Sequence, residues 1–147
     1  LSETIYNRNA MRKLLVIVLI GLCYFSCGKA TDNIPSVPVN FSAPINDPRL
    51  AGLTAGGGVA FISGYGVAGL IIYHTGSGQY VAYDRCSSYQ PQKKCAVTLD
   101  ASGFSVTDPC SGSKFSLADG TPVKAPATKS LRVYSVSVYN FQIFVSN

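Results

Sequence analysis

From Leu50 onward, short apolar runs alternate with Gly- and Ser-rich breaks. The runs are Val59–Ile62, Gly69–Tyr73, Gln79–Tyr83, Cys95–Leu99, Gly103–Val106, Ser113–Leu117, Leu131–Tyr139 and Phe141–Val145. Thr75-Gly76-Ser77-Gly78 between two of them predicts a tight hairpin turn, and Asp119-Gly120 predicts a second turn. Arg132 to Val138 alternates apolar and polar with period two, as a strand with one buried face does. No stretch after the leader keeps a 3.6-residue period. Strands at short spacing with turn punctuation predict an all-β sandwich or barrel. Further upstream, Ser36–Phe41 reads as an edge strand, where Pro38 is tolerated.

The beginning of the chain has a different pattern. Met11-Arg12-Lys13 precedes the apolar run Leu14–Leu22. That run is far short of the roughly 20 residues a spanning helix needs and fits the apolar region of a secretory signal peptide. Residues 1–10 resemble no leader, and Met11 is read as the true start. Ser26-Cys27 just past the apolar run resembles the lipobox of bacterial lipoproteins, although Tyr24 stands where Leu is usual. The resemblance implies residues 11–26 as signal peptide, Cys27 as the lipidated N-terminus, and a cell-envelope location held to the membrane by the lipid. Residues 27–48, with Pro35, Pro38, Pro44 and Pro48, read as anchor and tether, and residues 49–147 as the domain.

Composition narrows the function. Apolar residues make up 47% of the chain and charged ones 13%, so it can bury a core. Beyond residue 27 it holds nine Lys and Arg against six Asp and no Glu, with Lys93-Lys94 the one basic pair. No basic run suits nucleic acid. Gly56-Gly57-Gly58 lacks the Gly-Lys-Ser/Thr of a phosphate loop, and His74, the only His, has no nucleophile elbow nearby. The expectation is a non-enzyme. Three cysteines remain after the leader, Cys86, Cys95 and Cys110, enough for one disulfide and one free thiol, with metal binding the competing reading.

The residues around those cysteines carry a resemblance over roughly 69–145. Ala82-Tyr83-Asp84-Arg85 leads into the first cysteine loop, Asp108-Pro109-Cys110-Ser111-Gly112-Ser113-Lys114-Phe115 forms the second, and Asp119-Gly120 and Ala125-Pro126-Ala127 follow. This order resembles Rieske-type iron–sulfur domains. It implies a stack of antiparallel sheets with two tip loops, which in that family hold a [2Fe–2S] cluster through two Cys and two His. Residue by residue, the ligand positions fall on Ser87 and Tyr89 in the first loop and on Asp108 and Ser111 in the second. A shift of one places Cys86 at the thiolate position and Ser88 at the imidazole position. The set implied here is degenerate, so the expectation is no metal and no cofactor; the alternative is a [2Fe–2S] electron-transfer protein with non-standard ligands. A third reading is a metal or redox site of Cys86, Cys95, Cys110 and Asp108. The family's inter-loop disulfide falls on Cys95 and Cys110, with Cys86–Cys110 the other pairing. The favoured function is a non-catalytic lipoprotein whose tip is structural or binds an envelope partner, with Tyr89 and Phe115 either offering apolar contacts or packing inside.

Overall fold

Leu70-Ile71-Ile72-Tyr73 has no polar alternation because both of its faces are covered. In the computed structural model, which describes Arg12, Lys13 and residues 33–147, this segment is the strand β3 (Leu70–His74). The apolar run of the leader, the lipobox and Cys27 lie outside the described residues. Two units are distinguished, Leu1–Ala30 and Thr31–Asn147; in the first, Arg12 and Lys13 are helical and exposed. No helix among the described residues is long and apolar enough to cross a membrane.

The second unit is all-β. β1 (Asn40–Pro44), β2 (Val59–Ile62), β3, β4 (Tyr80–Asp84), β9 (Val133–Tyr139) and β10 (Gln142–Ser146) form one antiparallel sheet in the order β1-β10-β9-β4-β3-β2. β5 (Thr98–Leu99), β6 (Ser105–Thr107), β7 (Lys114–Ser116) and β8 (Pro122–Lys124) form a second, in sequence order. Alternate residues of the large sheet feed two cores. Leu70, Ile72, Ala82, Tyr134, Phe41, Ile143 and Val145 pack under Leu50 and Leu53 of the 3-10 turn Pro48–Leu53. On the other face Ile71 and Tyr83 meet Val106 and Phe115 of the second sheet, together with Val97 just before β5 and Leu117 just after β7. Each such large side chain contributes about 1.5–3 kcal/mol by burial.

The β3–β4 hairpin closes as expected. Thr75 N donates to Gln79 O (2.8 Å), Gln79 N donates to Thr75 Oγ1 (3.0 Å), and Gly78 takes φ +83. Three elements differ from the sequence expectation. The edge strand begins at Asn40 and not Ser36, because Val37 O and Val39 N are held by the Asn147 side chain (2.9 and 3.0 Å) and Pro38 has no N–H. The run from Cys95 shortens to Thr98–Leu99, because the backbone of its first three residues pairs instead with Arg85–Ser87. β8 was not expected, since Pro122 opens it; it pairs only with β7, where proline is tolerated.

Tyr83 shows how sharply the second core is fitted. Its hydroxyl donates to Leu117 O (3.0 Å), and a Cβ on Gly120 would stand 2.8 Å from its ring. Burial pushes its phenol up to about 12, with Asp119 and Tyr73 adding to the shift. Tyr134 is raised further, by burial first and then by its hydrogen bond to Asp84. A phenol whose folded pKa lies above its unfolded value stabilises fully below the unfolded value and loses that stability as the pH rises. Stability in urea is therefore expected to hold up to about pH 10 and to fall between pH 10 and 12, by on the order of 3 kcal/mol for Tyr83 alone. Denaturation curves across that window check it; a level profile sinks it.

Candidate functional site

β4 ends at Asp84 and runs into the first tip loop (residues 85–97), while β6 and β7 are joined by the second (108–113). Asp84 is fully buried, and its carboxylate organises the approach to the tip. Oδ1 accepts from Ala68 N (3.1 Å) and Cys86 N (2.8 Å); Oδ2 accepts from Val67 N (2.6 Å) and the Tyr134 hydroxyl (2.8 Å). Four donors satisfy the charge without a cationic partner. The two arms of the first loop pair through Val97 N to Arg85 O and Ser87 N to Cys95 O, both 2.8 Å. Between them Gln90 and Lys94, each at φ 51, flank a short 3-10 turn, Pro91–Lys93.

A disulfide between Cys95 and Cys110 joins the loops, with Cα atoms 6.3 Å apart. This is the pairing implied by the resemblance, and it leaves Cys86 free. Cys86 is fully buried, its Sγ 3.6 Å from both Ser87 O and Pro91 O. Burial pushes its thiol up to about 11, with Asp84 and Asp108 adding and Lys94 opposing. So little thiolate at neutral pH makes it a poor nucleophile.

The four positions singled out from the sequence divide by depth. Ser87 and Asp108 are buried, whereas Tyr89 and Ser111 line a cleft with Gln90, Lys93, Cys110 and Pro126. The side chains of Ser87, Asp108 and Ser111 are already hydrogen-bonded. Asp108 Oδ1 accepts from Cys110 N (2.8 Å), and Oδ2 accepts from the Ser111 hydroxyl (2.6 Å). The Ser111 and Ser113 hydroxyls lie 2.9 Å apart, and Ala127 N donates to Ser113 Oγ (3.0 Å). Ser87 Oγ accepts from Tyr89 N (3.2 Å). Phe115 is core and offers no surface contact; Tyr89 is half-buried against the same core.

These donors do not suit a [2Fe–2S] cluster, which takes thiolates on one iron and imidazoles on the other in this fold. Two hydroxyls, a phenol and a hard carboxylate are poor replacements on iron bound to sulfide. His74 sits at the far end of β3, four residues or about 13 Å from Leu70 at the tip end. Its Nδ1 is 2.9 Å from Leu53 O, and its ring stacks on Tyr80. Of the four residues read as a metal or redox site, the fold gathers Cys95, Asp108 and Cys110, with ligand atoms within 4.8 Å of one another, but two of them are joined as the disulfide and Cys86 is not in the group. Sequence reasoning quoted Asp84 for its position and missed its role. The signal was an acidic residue ending an otherwise apolar strand.

No protein-family model matches the chain, and no curated protein matches it in sequence. Solved structures do. The plasma membrane Rieske protein PetC3 from the cyanobacterium Synechocystis PCC 6803 matches with TM-score 0.51 and 22% identity, over 75% of this chain and 98% of that one. The ferredoxin of carbazole 1,9a-dioxygenase from Nocardioides aromaticivorans IC177 gives TM-score 0.48 and 19% identity over 75% and 97%. The complex of reduced oxygenase and oxidised ferredoxin in carbazole 1,9a-dioxygenase gives 0.45 and 26% over 62% and 82%. With two stacked antiparallel sheets, two disulfide-linked tip loops and the overlay on the Synechocystis protein, residues 33–147 have a Rieske-type fold.

Proposed function

We propose that this chain is a non-catalytic lipoprotein of the bacterial cell envelope, whose Rieske-like domain carries no iron–sulfur cluster and serves as a structural or partner-binding module. The carrying observation is the Asp108–Ser111 hydrogen bond of 2.6 Å. Two positions that would face iron in a cluster-binding relative bond directly to each other, and Ser113 and Cys110 complete the network. A satisfied buried polar network of this kind holds a loop in one conformation. Among the described residues, burial holds the Cys86 thiol well above the usual range and the disulfide takes up the other two cysteines.

Chain purified from envelopes under air is expected to be colourless and free of stoichiometric iron. Of Cys86, Cys95 and Cys110, none should react with a thiol reagent in the native protein and one after denaturation. Two irons per chain with charge-transfer absorbance in the visible would replace this reading by the electron-transfer one.

A further inference from the structure

The tip loops gather positive charge without exposed negative charge. Residues 85–97 contain Arg85, Lys93 and Lys94, and the adjoining loop 125–132 contains Lys129 and Arg132. These are five of the eight Lys and Arg in residues 33–147. The one carboxylate in the tip loops, Asp108, is fully buried. Elsewhere Asp47 and Asp100 are paired with Arg49 and Lys114, Asp84 is buried, and Asp119 is exposed in the turn after β7. Lys93, Lys94 and Lys129 are exposed. One end of the domain therefore presents a field of a single sign.

The chain also enters the domain at this end. Lys129 Nζ donates to Asn33 Oδ1 (3.2 Å), and Arg132 donates from Nη1 to Ile34 O (3.3 Å) and from Nη2 to Ser36 Oγ (2.7 Å). Ile34 is buried, and Ser88 of the first tip loop donates to Lys129 O. Asn33 is the sixth residue after Cys27, a stretch that spans at most about 20 Å. The β9–β10 turn lies at the other end of β9, about 20 Å from the pairing of Val133 with Tyr83.

We infer that the basic tip docks on anionic phospholipid headgroups of the membrane that holds the Cys27 anchor, with Lys93, Lys94 and Lys129 meeting the phosphates. The inference rests on the lipoprotein reading for the anchor. A tether this short keeps the tip where it enters within reach of the bilayer, and the attraction of each cation for an anionic leaflet acts within a Debye length.

The test uses the full chain, with its acyl groups confirmed by mass spectrometry, in vesicles of phosphatidylcholine alone or with one quarter phosphatidylglycerol. A donor dye is placed at Gln92→Cys in the tip or at Gln142→Cys near the far hairpin, with an acceptor on the headgroups. Energy transfer from position 92 is expected to exceed that from 142 at least twofold (about 20 Å of added separation) in the anionic vesicles. The difference should shrink in 0.5 M salt and in Lys93→Glu/Lys94→Glu/Lys129→Glu. Equal transfer from both positions, or no effect of the three substitutions, overturns the inference in favour of a tip that faces another protein. If mass spectrometry finds no acyl group, the lipoprotein reading fails separately. Co-sedimentation of the same chain then decides the tip: the triple variant should bind anionic vesicles ~100-fold more weakly, and equal binding of both vesicle types overturns docking.

Discussion

Asp84→Ala is expected to cost about 4 kcal/mol of folding stability, and Asp84→Asn somewhat less. The carboxylate accepts from three backbone N–H groups, those of Val67, Ala68 and Cys86, and from the Tyr134 hydroxyl. Alanine leaves four donors unpaired at a position sealed from solvent. Each such group costs about 1–3 kcal/mol, partly offset because the buried charge itself disappears. Asparagine keeps one oxygen but turns an NH2 toward backbone N–H groups that cannot accept from it. Gly66 is tied to the same point: it sits at φ +64, and a Cβ there would stand 2.3 Å from Asp84 Oδ2. Urea unfolding followed by circular dichroism at pH 7 measures the loss. A change below about 1 kcal/mol would show that the loop, the tip and β9 are not joined through this side chain.

Removing the disulfide by Cys95→Ser with Cys110→Ser is expected to cost about 3 kcal/mol, the chain-entropy value for a closed loop of about 15 residues. The melting temperature should fall by on the order of 10 °C. The β-sheets should persist, because neither core includes Cys95 or Cys110. Thermal melts of the wild type with and without a reductant provide the matching comparison. If reduction of the wild type leaves the melting temperature unchanged, the loops are held by their hydrogen bonds alone.

Much of this architecture was readable along the chain. The turn at Thr75–Gly78, the alternation over Arg132–Val138 and the all-β class follow from local residue types. The pairing of Cys95 with Cys110 came from resemblance in the loop sequences, since three thiols alone leave the partner open. β8 was missed because a proline hid it, and Phe115 was a candidate contact because its burial depends on a facing sheet.

Local chemistry by itself determined which segments extend, where they turn, and that four candidate positions carry two hydroxyls, a phenol and a carboxylate. Those properties belong to single residues and their neighbours. Only the tertiary structure decided that Asp84 meets Tyr134 fifty residues away and that Asn33–Ser36 is fastened beside Lys129 and Arg132 almost a hundred residues later. Contacts at such separations depend on how two sheets stack around two cores, and no periodicity along the chain encodes that.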